Sequence, residues 1–159
     1  MRIFDQKILE RIGKKMLQKK QTIAVAESVT SGLLQFSISG IPDAACFFHG
    51  GITTYNVAQK FMHLRVEPLH ALSVNCVSQK VAKEMADQVC QLYTSDWGIG
   101  ITGYASPTAE SGNKVFAFFA IAYRGKIKSS GKINPQKTDP PELQTLYVNY
   151  ILRKLLSLL

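Results

Sequence analysis

Hydrophobic and polar positions along the chain switch repeatedly between a helical and a strand period. Phe4, Ile8, Ile12 and Met16 recur every four residues behind Asp5, which predicts a capped helix running to about Lys19. Thr22 to Ala26 is short and apolar throughout, as a strand covered on both faces reads. Helical spacing returns from Thr30 to Ser39 and stops at Gly40-Ile41-Pro42, and Phe47 to Tyr55 reads as a second strand carrying Gly50-Gly51. Asn56 then caps a short helix through Lys60 and Met62.

Residues 65–77 give mixed signals and are read as loop that a turn of helix can interrupt. Ser78 opens a longer helix with Val81, Ala82, Met85, Ala86, Val89 and Tyr93 on one face. Trp97 to Thr102 and Val115 to Tyr123 read as strands, and Arg124-Gly125 turns the second into a last strand from Lys126 to Ile133. Asp139, Pro140 and Glu142 have the order of a capped helix start, and Leu143, Tyr147, Tyr150, Ile151, Leu155 and Leu158 follow at helical spacing. The expected fold class is α/β, a three-layer α/β/α sandwich with a mixed, mostly parallel sheet, in one domain over residues 1–159.

Composition narrows the function classes. At 159 residues, 46% hydrophobic and 19% charged, the chain is neither fibrous nor disordered. Its longest apolar run, Val115 to Ala122, is too short to span a bilayer, and the first residues lack the apolar core of a secretory signal, so a cytoplasmic location and no membrane partner are expected. Cys46, Cys76 and Cys90 are widely spaced and show no ligand spacing with His49, His63 or His70; reduced thiols and no metal or cofactor are expected. The net charge of +8 would attract nucleic acid or an anionic small molecule, but Lys7, Arg11, Lys14, Lys15 and Lys19 fall opposite the apolar face of the first helix. With no basic run interleaved with aromatics, nucleic acid is the weaker partner and a phosphate-bearing small molecule the stronger.

Candidate chemistry collects where the first strand ends. After Ile23 to Ala26 comes Glu27, and four of the next five residues are Ser, Thr or Gly before the helical pattern begins. Unpaired N–H groups at such a helix start favour an oxyanion, which makes Ser28 a candidate nucleophile and residues 30–32 candidate oxyanion donors. Alternatively, Ser28 or Thr30 is simply the helix cap. Two other motif matches are set aside. The glycines of Gly98-Ile99-Gly100-Ile101-Thr102-Gly103 have dinucleotide-fingerprint spacing but lie within a strand pattern, and Ser111-Gly112-Asn113-Lys114 has Ser-x-x-Lys spacing in a loop.

Three blocks, in order, resemble one known family. Ala26-Glu27-Ser28-Val29-Thr30-Ser31-Gly32 is similar to the A-E-S-C-T-G-G signature of the CinA C-terminal domain family. The stretch from Gly50 through Tyr55 to Lys60 resembles its G-x-x-x-Y-x-x-x-x-K block. Val77-Ser78 and the run Thr102-Gly103-Tyr104-Ala105-Ser106-Pro107 resemble its V-S helix start and its [ST]-G-x-A-G-P turn. The resemblance implies a metal-independent deamidase that converts nicotinamide mononucleotide to nicotinic acid mononucleotide and ammonia. Ser28 and Lys60 would be its dyad, and Tyr55 would orient the dyad or relay a proton. Glu27, Thr30, Ser31, Gly32, Thr102 and Gly103 would border the substrate. It also implies a homodimer, and a chain without the molybdopterin-binding-like front half that many relatives carry.

Ser31 and Ser106 stand where the family prefers glycine, and Asp139-Pro140-Pro141-Glu142 stands where relatives present arginines, with Lys137 nearby. The alternative is a catalytically degenerate relative that keeps the fold as a nucleotide-binding or protein-interaction module.

Overall fold

A computed structural model describes residues 3–136 and 139–159. The first helix, α1 (Gln6–Lys19), begins at Asp5, whose carboxylate accepts from the Ile8 N–H. β1 (Ile23–Glu27) follows, wholly buried, and then α2 (Leu33–Ser39). A single 3₁₀ turn, Ala44–Cys46, leads into β2 (Phe48–Thr53). Two short helices, α3 (Val57–Leu64) and α4 (Pro68–Ser73), and the long α5 (Gln79–Tyr93) precede β3 (Trp97–Tyr104). β4 (Phe116–Tyr123), β5 (Lys126–Ile133) and α6 (Pro140–Leu158) complete the chain.

The five strands form one sheet in the order β2-β1-β3-β4-β5. β1 pairs in parallel with both β2 and β3, while β4 runs antiparallel to β3 and to β5, so four strands share a direction and β4 alone opposes them. The sheet is mixed, as the alternation of patterns predicts. Residues of α1, α2 and α6 pack on one face around Val25, Ile99, Ile101 and Phe119. α3, α4 and α5 cover the other, around Ala24, Ala26, Ala120 and Ala122. Three layers result. The chain leaves β1 toward β2 on one side and reaches β3 on the other, so strand order reverses beside β1. In open α/β sheets such a reversal opens a crevice at the strands' carboxyl ends.

Two sequence expectations need correction. Residues 65–77 contain a defined helix, α4, which starts at Pro68 with the Glu67 carboxylate accepting from the N–H groups of Leu69 and His70. The apolar pattern hides it because Leu69 and Leu72 are exposed while Ala71 is the buried residue. α2 begins at Leu33 rather than Thr30, for a reason that lies in Glu27 and is described below. At α6, Asp139 occupies the N-cap position but its side chain makes no capping bond; Lys137 lies outside the described residues.

The glycines of the false fingerprint have a structural use. A Cβ at Gly98 would sit 2.2 Å from the Ala86 carbonyl, and one at Gly100 would sit 2.3 Å from the Ala82 carbonyl and 2.6 Å from the Ala86 nitrogen. These glycines let the α5 backbone rest directly on β3, which carries the end of the crevice. No described helix is long and apolar enough to cross a membrane. Replacing Gly100 by Ala forces α5 off the strand and is expected to lower unfolding free energy by about 2–3 kcal/mol in denaturant titration; a loss under about 0.5 kcal/mol would contradict the close seating.

Candidate active site

The parallel strands deliver three segments to the crevice. β1 ends at Glu27 and hands on Ser28 and Val29; β2 is followed by Thr54 and Tyr55; β3 ends in Thr102, Gly103 and Tyr104. Together with Asn56, Val57, Asn75, Cys76, Ser106, Thr108 and Gln144 of α6, they enclose a cleft of about 430 Å³.

Lys60 lies beneath it. Asn56 caps α3 by accepting from the Gln59 N–H, and this fixes the helical phase so that Lys60 and Leu64 face inward. The Lys60 side chain is 0% exposed. Its Nζ lies 3.1 Å from Ser28 Oγ, donates to the Thr54 carbonyl at 2.7 Å, and has a longer contact of 3.4 Å with the Tyr55 carbonyl. Ser28 and Lys60, 32 residues apart in sequence, therefore meet within hydrogen-bond reach.

Burial pulls the Lys60 pKa from 10.5 down to about 8, against an opposing pull from the Cys76 thiol. Burial in turn pushes the Cys76 thiol up, with Lys60 drawing it back. The surroundings suit the uncharged amine. A neutral amine has two N–H groups and one lone pair: the two carbonyls can accept the former, leaving the lone pair to accept from the Ser28 hydroxyl.

Glu27 has a different place from the one expected of it. It is 0% exposed, and its carboxylate accepts from the N–H groups of Gly32, Leu34 and Gln35 and from the Thr30 hydroxyl at 2.6 Å. A charged carboxylate thus occupies the α2 N-terminus from within the fold, offsetting the partial positive charge there. This is why the helix starts late and why neither Ser28 nor Thr30 caps it. It also removes Gly32 from the candidate oxyanion donors, and Ser31 N–H donates to the Ser28 carbonyl. Glu27, Thr30, Ser31 and Gly32 do not line the cleft, whereas Val29, Thr102 and Gly103 do. Thr102 is buried and donates its hydroxyl to the Cys76 carbonyl at 2.7 Å.

Tyr55 is 64% exposed and forms one wall. Its hydroxyl bonds to Ser31 Oγ, so its link to Lys60 is through its carbonyl rather than its ring. Ser31 has φ +52°, the left-handed region in which glycine is strain-free, which accounts physically for a glycine preference at this position. Contacts to Tyr55 and to the Gln144 amide hold its side chain. Ser106 shows no such strain.

Sequence reasoning missed Asn75, Tyr104 and Gln144 as cleft residues. Gln144 donates to the Val29 carbonyl at 2.9 Å and Asn75 donates to the Tyr104 hydroxyl at 3.1 Å. Periodicity gives no sign of them. The one local signal would have been the left-handed pair Asn75 and Cys76, at φ +50° and +61°, since Asn favours that region. No group of three or more His, Cys, Asp or Glu among the described residues could hold a metal.

The profile of the CinA C-terminal domain matches residues 5–159. The chain belongs to the CinA C-terminal domain family. A CinA-like protein of Chlorobium limicola is 35% identical over 129 residues, covering 81% of this chain and 30% of its own. A putative competence-damage inducible protein of Moorella thermoacetica is 38% identical over 127 residues, covering 78% and 31%. The chain therefore spans about a third of the length of these curated relatives. Among solved structures, a CinA superfamily protein of Escherichia coli aligns with TM-score 0.89 and 27% identity, over 96% of this chain and 88% of that one. A competence or damage-inducible protein of Enterobacter asburiae has the same fold, with TM-score 0.90 at 23% identity over 96% of each chain.

Two outcomes test this geometry. Glu27→Ala strands the N–H groups of Gly32, Leu34 and Gln35 and should destabilise the CinA domain by about 3 kcal/mol in denaturant titration; no change would mean the α2 start is held some other way. For Lys60 the folded pKa lies below the unfolded one, so the folded state binds fewer protons between about pH 8 and 10.5 and stability rises with pH there. Relative to Lys60→Met, the wild type should gain about 3 kcal/mol across that window. A flat difference would place the amine in solvent.

Proposed function

We propose that this CinA domain is a metal-independent serine amidohydrolase that deamidates nicotinamide mononucleotide to nicotinic acid mononucleotide and ammonia. The observation that carries the reading is the 3.1 Å approach of Lys60 Nζ to Ser28 Oγ in a buried setting that favours the neutral amine. The nucleotide amide itself is what the family resemblance implies.

A carboxamide is a poor electrophile, so the site needs an activated nucleophile, a proton acceptor and donors for the developing oxyanion. Ser28 Oγ attacks the carboxamide carbon as its proton passes to the Lys60 lone pair. The tetrahedral intermediate collapses by breaking the C–N bond, and Lys60 returns the proton to the departing ammonia. Water, deprotonated by the again neutral Lys60, attacks the acyl ester; acid forms and the proton returns to Ser28. The Val29 N–H, which donates to no described residue and belongs to a residue that lines the cleft, is the donor left for the oxyanion once Glu27 has taken those of α2. Tyr55 walls the site and steadies Lys60 through its carbonyl, while Thr102 and Gly103 border the substrate from β3.

Ammonia release from nicotinamide mononucleotide is expected in the wild type and is expected to fall at least about a thousandfold in Ser28→Ala and in Lys60→Met. Below about pH 8 the rate should rise about tenfold per pH unit and then level, because only the neutral amine accepts the serine proton. A folded wild type that releases no ammonia from mononucleotide amides would fit the binding-module alternative instead.

A further inference from the structure

The main cleft holds the reacting groups but is lined by neutral side chains; among its described lining residues there is no Arg or Lys. A phosphate-bearing substrate needs a cation somewhere along its length. The start of α6 offers Asp139, Pro140, Pro141 and Glu142. Across the loop that joins β3 to β4, however, lies a second cavity of about 360 Å³, lined by Pro107, Asn113, Lys114, Phe116, Lys132 and Asn134 among others.

The two cavities share a wall. Ser106 lines the first and Pro107 the second, and the Tyr104 ring of the first meets the Phe116 ring of the second edge-on, with centroids 5.3 Å apart. Sheet register explains why. Tyr104 pairs with Phe116, and Thr102 pairs with Phe118, which pairs with Lys132. Directly paired residues point to the same face, so Thr102, Phe118 and Lys132 form one row across the sheet and Tyr104 and Phe116 begin the next. β5 runs in the direction of β1 and β3, so Lys132 near its end stands at the same carboxyl edge as Ser28.

Lysines on an outer strand commonly serve only to discourage pairing with another sheet, and Lys126 and Lys128 fit that use. Lys132 is held differently. Its Nζ lies 4.0 Å from the Phe116 ring centroid and 5.7 Å from that of Phe118, which fixes the ammonium over the aromatic rim. No carboxylate lies within ion-pair distance of Lys132 or Lys114 among the described residues. Two cations and two side-chain amides, Asn113 and Asn134, converge on one cavity with an aromatic wall, and that donor set matches a phosphate monoester.

We infer that Lys114 and Lys132 form the phosphate subsite of the enzyme, reached from the Ser28 cleft over the Tyr104 and Phe116 rings. This rests on the amidase reading for the position of the amide, but the anion site itself can be tested apart from turnover. The amide would lie against Ser28, the body of the nucleotide along Thr102 to Tyr104, and the phosphate between the two lysines.

Calorimetric binding of nicotinamide mononucleotide and of its dephosphorylated riboside to Ser28→Ala separates the two ideas, because that variant binds without turning over. Adding Lys114→Gln and Lys132→Gln together should weaken mononucleotide binding at least about tenfold, leave the riboside unchanged, and reduce the salt dependence of the former. Lys132→Arg should retain the affinity. In the Ser28-bearing enzyme the same lysine pair should raise KM for the mononucleotide with kcat little changed, the pattern of lost uniform binding. Equal weakening of both ligands, indifference of both, or no mononucleotide binding would overturn the subsite. Phosphate-dependent, lysine-dependent binding without ammonia release would sustain the subsite while refuting the amidase.

Discussion

A buried amine with a hydroxyl beside it governs the arrangement of this domain. Lys60, on α3, has no exposed surface, and the groups that surround its Nζ come from two other segments: Ser28 after β1, and Thr54 and Tyr55 after β2. A lysine at such a position loses hydration, and the loss falls on the charged form. The fold answers with main-chain carbonyls rather than with a carboxylate. An acidic partner would have kept the amine protonated and useless as a base, whereas carbonyls satisfy its N–H groups while leaving its basicity available.

Holding Ser28 beside that amine requires an abrupt exit from β1, and Glu27 makes the exit possible. Its carboxylate reaches forward to the first turn of α2 and binds three N–H groups and a hydroxyl there, so the chain from 28 to 32 is pinned at both ends. The left-handed backbone at Ser31 and Gly32 lies within this short tether. Charge at a helix N-terminus is more often supplied by a ligand or a neighbouring cap. Here the strand's own last residue supplies it, and in the proposed amidase the oxyanion donor must come from the turn itself. On the other side of β1, Gly98 and Gly100 let α5 rest on β3 and bring Thr102 and Tyr104 to the opposite wall.

Much of this was legible in the chain. Five strands, the long helices and the mixed sheet follow from apolar periodicity, because long elements buried on one face repeat their signal many times. Ser28 is marked by the polar turn between β1 and the next helix, whereas Lys60 and Tyr55 emerge only through block spacing; in isolation each has an ordinary structural explanation. What could not be read was direction and phase. Glu27 beside a candidate nucleophile resembles a substrate ligand in sequence, and only the course of α2 turns its carboxylate inward. α4 was hidden because its leucines face solvent. Gln144, Asn75 and the row from Thr102 to Lys132 depend on elements far apart in sequence meeting at one edge of the sheet, which no local pattern encodes.

The central claim is that the Lys60 amine loses its proton near pH 8, well below an exposed lysine, because it is buried against Ser28 and two carbonyls. Its own titration is the most direct test, followed by the NMR shifts of the Lys60 side-chain nitrogen and adjacent methylene in selectively labelled protein. The account predicts a midpoint near 8, well apart from the solvent-exposed lysines. A midpoint at or above 10.5, with the exposed lysines, would contradict it and leave Ser28 without a base.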